Sequence, residues 1–170
     1  FAQQRLWFLD QLEPGNPFYT ESSALRIQAP LSVQAFERAL NEIVRRHEVL
    51  RTRIEPVDGE PVAVVVDDLH LPLEVIDLAD LPPEQREREM LRQAELASRH
   101  RFDLQRGPLL RPTLLRLGAG DWLFVLAIHH IVCDGWSSGV FSNELSAIYA
   151  AFAAGKACPL PPLPIQYGDF

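Results

Sequence analysis

Residues 128–137, IHHIVCDGWS, set two adjacent imidazoles, a thiol and a carboxylate directly after WLFVLAI, the longest purely apolar run in the chain. Successive side chains on a strand point to opposite faces, so His129 and His130 have different jobs: one ring turns to the covered side and the other turns outward. A ring with an ordinary pKa of ~6.5 exchanges a proton near neutrality, which makes the outward histidine a candidate general base. Asp134 stands beside Gly135, where a tight turn can bring the carboxylate back toward the strand end to fix the local geometry by pairing with a base or cation. His129, His130, Cys133, Asp134 and Cys158 are all metal-ligand types. Adjacent strand histidines do not converge easily on one ion, however, and no Cys-x-x-Cys or His-x-x-x-His spacing is present, so no metal is expected. Cys133 as a nucleophile lacks any local signature. No glycine-rich phosphate loop points to a nucleotide.

The surrounding periodicities say what positions these groups. FAQQRLWFLDQL reads as a short helix burying Leu6, Phe8 and Leu9, closed by the loop residues Pro14 to Pro17. A strand is expected near SALRIQ. Ser32 can cap a helix whose apolar residues Phe36, Leu40, Ile43, Val44 and Leu50 recur at helical spacing. RTRIEP and PVAVVVDD flank Asp58-Gly59, a pair that tolerates positive φ, and predict a hairpin. The strand LPLEVIDL precedes a charged helix begun by two prolines, with Met90, Leu91, Ala94, Leu96 and Ala97 inward and a solvated charged face. PLLRPTLLRLG and DWLFVLAIHH, joined by GAG, read as a pair of strands, the second buried within a sheet. The last helix, WSSGVFSNELSAIYAAFAAGK, ends near Gly155. This order predicts an α/β fold, a sandwich with helices packed on a mixed, mostly antiparallel sheet.

Bulk properties narrow the partners. The 170 residues are 47% hydrophobic and 23% charged, ordinary for one globular unit. Sixteen basic residues against 23 acidic ones leave a net charge of −7, and Lys156 is the only lysine. That balance offers no basic face for phosphates, so no nucleic-acid partner is expected. The apolar run 122–128 is too short to cross a bilayer, so no membrane association and a cytoplasmic location are expected. Cys133 and Cys158 form no disulfide framework and read as small, partly buried residues in a reducing compartment. The chain starts at Phe1 and stops at QYGDF after the Pro-rich CPLPPLPIQ, so one lobe of something larger is expected.

Four segments, FAQQRLWFLDQL at the start, RRHEVLRTRI at 45–54, HHIVCDG at 129–135 and YGDF at the end, resemble in order and spacing the N-terminal lobe of a condensation domain from a nonribosomal peptide synthetase. FDLQRGPLLRPTLLRL, residues 102–117, is similar to the segment that precedes the histidine motif in that family. The resemblance covers the whole chain and implies the chloramphenicol acetyltransferase-like two-layer sandwich, here one lobe of two that face each other across a tunnel. Residues 1–170 would be the N-terminal lobe, and 156–170 the connection toward the missing C-terminal lobe.

The reaction so implied is amide bond formation between a donor aminoacyl or peptidyl thioester and an acceptor aminoacyl thioester. Both are tethered by phosphopantetheine to peptidyl carrier proteins, with an adenylation domain as neighbour and no cofactor bound by the domain itself. His130 maps to the residue in the tunnel that takes the ammonium proton or holds the amine, and His129 to its structural neighbour. Asp134 maps to a carboxylate held in an ion pair, with Arg5, Arg46 or Arg51 as partner and Arg5 placed first. Gly135 maps to the point of closest passage of the acceptor arm. Trp136 and Ser137 are tunnel candidates, although Trp136 reads more readily as core. The retained histidine pair disfavours a heterocyclising relative, and AQQRLWFLDQL resembles the subtype that joins an L-donor to an L-acceptor. An epimerising relative, a stand-alone acyl-CoA acyltransferase and a non-catalytic carrier-binding fragment remain as alternatives.

Overall fold

The structure, a computed structural model, describes residues 2–169. Its elements run α1 (Ala2–Leu12), β1 (Thr20–Ile27), α2 (Val33–Arg46), β2 (Thr52–Val57), β3 (Glu60–Val65), β4 (Glu74–Asp77), α3 (Pro83–Ser98), β5 (Leu110–Gly118), β6 (Asp121–His129) and α4 (Gly135–Ala153). Four strands form one mixed sheet in the order β1-β6-β5-β4, in which only the β4–β5 pairing is parallel. β2 and β3 form a separate antiparallel hairpin. This is the mixed α/β sandwich expected from the sequence.

The center of the sheet is β6, paired on both sides and apolar on both faces, as the unbroken run WLFVLAI requires. Trp122, Phe124 and Leu126 look toward α2 and α4, while Leu123 and Val125 join Leu78, Leu115 and Leu117 on the α3 side. Phe36 packs edge-on against Phe124 and Tyr149, with centroids 5.0 and 5.8 Å apart, and so joins helix, sheet and α4. Leu40, Ile43 and Ile148 between the two helices are essentially inaccessible. Each such side chain contributes roughly 1.5–3 kcal/mol of burial.

Local chemistry sets the element ends. Ser32 accepts from the Ala35 N–H at 3.3 Å and caps α2. Asp58 and Gly59 take φ of 52° and 83° at the β2–β3 turn, as the hairpin expectation requires. Gly120 turns β5 into β6 at φ 67°, a conformation that residues with a Cβ rarely adopt.

Four expectations need correction. α2 ends at Arg46, short of Leu50, which is buried from a separate 3-10 turn, Glu48–Arg51. β1 begins at Thr20, earlier than SALRIQ implied, because its first residues pair with the end of β6. In α1, Leu6 and Trp7 pack on the core while Phe8 is exposed. α3 buries no residue fully: Met90 and Ala97 meet the sheet, but Leu91 and Leu96 face outward, since a single helix lying on a sheet covers only a narrow stripe of its own surface.

A charged knot fastens α2 to α4. Arg46, 8% exposed, donates to both Glu144 oxygens at 3.2 and 3.3 Å and to the Pro161 carbonyl at 2.8 Å. His47 Nε2 lies 2.9 Å from the same carboxylate. Gln166 closes the arrangement, donating to the Arg46 carbonyl and accepting from the Glu48 N–H, so the prolyl segment is fastened to the end of α2. Burial alone would push the Glu144 carboxyl up, but hydrogen bonds from Arg46 and His47 outweigh it and hold the carboxyl below its ordinary value. Arg46→Ala should therefore destabilise the fold by roughly 3 kcal/mol in urea unfolding, because the carboxylate loses its main partner. The pair's contribution should be intact above the ordinary glutamate value of 4.5 and be lost as pH falls below it. A Glu144→Gln variant with unchanged acid sensitivity would refute the assignment.

Candidate functional site

Alternation along β6 separates the two histidines. His129 is 2% exposed and packs against Tyr19 and Phe102 at centroid distances of 6.3 and 6.2 Å. Its Nδ1 accepts from the Ile131 N–H at 3.1 Å, which makes that nitrogen the unprotonated one in a neutral ring. Burial, with a smaller push from His130, lowers its pKa to about 4, so the His129 ring is neutral at physiological pH.

His130 extends the β1–β6 ladder by one step, its N–H donating to the Tyr19 carbonyl at 2.8 Å. Its side chain is 41% exposed and meets Glu21, whose Oε1 lies 2.7 Å from Nδ1. Glu21 arrives there because it pairs with Ile128 in the β1–β6 register and so points to the same face as His130. The oxygen is out of line for a hydrogen bond, which leaves Nδ1 buried without one. Nε2 is the ring nitrogen left to act on a reactant.

Cys133 sits half-buried beside this pair, its Sγ 3.7 Å from Glu21 Oε2. Burial, followed by the negative charge of Glu21, pushes the thiol up to about 12. A thiol raised this far is protonated at neutral pH, which makes it a poor nucleophile. Among the described residues, Glu21, His130 and Cys133 are also the only His, Cys or acidic cluster whose ligand atoms come close enough to share a metal ion.

Asp134 does not make the expected ion pair. It caps α4, accepting from the Ser137 N–H at 2.8 Å and the Ser137 hydroxyl at 2.6 Å, and these bonds hold its carboxyl below the ordinary range. Among the described residues, none of the three candidate arginines pairs with it. Arg46 belongs to the Glu144 knot; Arg51 donates to the Val66 carbonyl and to Glu48; Arg5 is exposed on α1. The physical reason is that a helix start with unsatisfied N–H groups lies within reach of Asp134, whereas the guanidiniums of Arg46 and Arg51 are committed to partners of their own. Gly135 has no atom within 4 Å of where a Cβ would be, so this surface is open. Trp136 is 85% exposed rather than core, and Ser137 is occupied by the cap. Glu21 escaped sequence reasoning, since only the pairing register brings it to the histidine. Phe1 and Phe170, part of the opening and closing motif segments, lie outside the described residues.

The Condensation domain family profile matches residues 1–170. The chain is 46% identical over 170 residues to a linear gramicidin synthase of Brevibacillus parabrevis, spanning all of this chain and 2% of that protein. It is 49% identical to the phosphinothricin tripeptide synthetase PhsC of Streptomyces viridochromogenes, again over its whole length and 16% of that protein. The first condensation domain of the calcium-dependent antibiotic synthetase, solved with a substrate analogue, superposes with a TM-score of 0.80 at 32% identity, covering 94% of this chain and 38% of that one. The chain thus spans well under half of the proteins it matches.

The capping role sets a modest energetic expectation. Asp134→Ala should lower the unfolding free energy by about 1 kcal/mol, and Asp134→Asn by much less, because asparagine still accepts from the Ser137 N–H. Denaturant titration distinguishes this from a buried ion pair, whose loss would cost several kcal/mol in both variants.

Proposed function

The chain belongs to the condensation-domain family, and from that premise we propose that it forms one wall of an active site joining two carrier-bound acyl groups through an amide bond. The donor is an aminoacyl or peptidyl thioester and the acceptor an aminoacyl thioester, each on the phosphopantetheine arm of a peptidyl carrier protein. An adenylation domain is the neighbour that supplies aminoacyl groups. Residues 1–170 are the N-terminal lobe, and 156–170 lead toward a C-terminal lobe that closes the tunnel. The substrates bring their own activated bond, so the lobe uses no cofactor of its own, and the reaction takes place in the cytoplasm. The opening AQQRLWFLDQL favours the subtype that joins an L-donor to an L-acceptor.

The observation that carries this reading is the division of labour at the end of β6: a buried, neutral His129 beside a half-exposed His130. The acceptor amine attacks the thioester carbonyl, the new C–N bond forms as the C–S bond breaks, and the departing pantetheine thiolate takes up a proton. His130 Nε2 receives the ammonium proton and holds the amine toward the carbonyl. An α-ammonium of pKa ~8 is a modest acid, so orientation supplies much of the acceleration and a strong base is not required. Gly135, with open space where a side chain would stand, leaves clearance for the acceptor arm.

A second reading has specific support: the chain covers 38% of a solved condensation domain, so the 170 residues alone would engage a carrier protein without catalysing. Both readings meet one test, single-turnover amide formation between two loaded carrier proteins, followed by intact-protein mass spectrometry. In the full-length parent, His130→Ala should slow product formation by about 100-fold or more while the melting temperature stays nearly unchanged. His129→Ala should lower the melting temperature, because it empties a buried aromatic contact. Full activity of His130→Ala would sink the assignment. Product from the 170 residues alone would sink the binding-only reading.

A further inference from the structure

Condensation as described leaves two side chains at the site without a task, Glu21 and Cys133. Glu21 bridges the other two members of the cluster: Oε1 lies 2.7 Å from His130 Nδ1 and Oε2 3.7 Å from Cys133 Sγ. The ligand atoms of all three lie within 4.8 Å of one another. Nδ1 is buried and makes no aligned hydrogen bond with this carboxylate, so neither group is committed to another partner there.

These spacings can be set against those of a metal ion. A tetrahedral Zn²⁺ with nitrogen and oxygen at ~2.0–2.2 Å and sulfur at ~2.3 Å keeps its ligand atoms roughly 3.3–3.7 Å apart. The carboxylate–thiol distance already has that value. The carboxylate–imidazole contact reaches it by opening less than ~1 Å, which a half-exposed glutamate accomplishes by side-chain rotation. A thiolate and an imidazole beside one carboxylate select zinc over magnesium or calcium, which want oxygen ligands alone. His129 and His130 need not converge on the ion, the obstacle that the sequence alone raises against a metal. The cluster leaves out His129 and takes its third ligand from β1.

We infer that Glu21, His130 through Nδ1, and Cys133 form a three-ligand zinc site with its fourth position open to solvent, and that zinc bound there stops amide formation. Binding releases the Cys133 thiol proton to solvent and leaves the remaining ring proton of His130 on Nε2. A protonated Nε2 donates and cannot receive the ammonium proton. This second part rests on the proposed role of His130.

The test uses the intact domain that carries this chain, with Co²⁺ as the spectroscopic probe. Co²⁺ should produce a thiolate-to-metal charge-transfer band that Zn²⁺ abolishes and Mg²⁺ leaves unchanged. The band should be missing in Cys133→Ser and present in Cys158→Ser, and Glu21→Gln should weaken Co²⁺ binding by about tenfold or more. Absence of the band, or its persistence in Cys133→Ser, overturns the site; Glu21→Gln, a change on a half-exposed side chain, gives an independent reading should Cys133→Ser fold poorly. Zn²⁺ should also inhibit single-turnover amide formation, reversibly on chelation, and less strongly in Glu21→Gln when each variant is normalised to its metal-free rate. A band of the expected behaviour without inhibition overturns the coupling to His130 and leaves the site standing.

Discussion

β6 is apolar on both faces and hydrogen-bonded along both edges, and a slip of one residue in its pairing would exchange every side chain between two differently shaped cores. The aromatic face, with Trp122 and Phe124, fits the space under α2 and α4, and the aliphatic face, with Leu123 and Val125, fits under α3. The register is thereby pinned over nine residues, and the strand ends with one imidazole buried and the next exposed. The difference in exposure between the two histidines is a consequence of core packing upstream of them.

The same pinning reaches β1. Because Thr20 stands opposite His129, and Glu21 opposite Ile128, the carboxylate is delivered to the face on which His130 emerges. The electrostatics at this strand end sort by burial. The enclosed His129 is driven neutral, the half-buried Cys133 thiol beside Glu21 keeps its proton, and the exposed Asp134 stays ionised in the field of a helix start. Three titratable groups within six residues thus hold three different states for reasons readable from their surroundings.

Away from the site, the Arg46–Glu144–His47 knot shows how the scaffold holds its helices at the right separation. A largely buried guanidinium is tolerable only with its donors used, and here a carboxylate from α4 and carbonyls from the prolyl segment use them. The knot also explains why the RRHEVLRT stretch is rich in charge yet contributes nothing directly to the histidine site: its Arg46, His47, Glu48 and Arg51 are bound to one another's neighbourhoods.

Much of this was legible in the residues. Period-two and period-3.6 patterns placed the helices and the buried strand, Asp58-Gly59 marked the hairpin, Ser32 marked a cap, and adjacency on a strand was enough to split His129 from His130. These features are local, written in spacings of two to four residues, where backbone geometry alone decides direction. The partner of Asp134, the outward turn of Phe8, Leu91 and Leu96, and the arrival of Glu21 beside His130 were not legible. Each depends on which distant segment comes to lie alongside: Glu21 and His130 are 109 positions apart in the chain yet nearly opposite across one strand pair. Sequence determined the chemistry available at the end of β6 and the direction each ring would point. Only the tertiary structure decided what each group meets there, because strand register and helix docking are settled by long-range packing that no local spacing encodes.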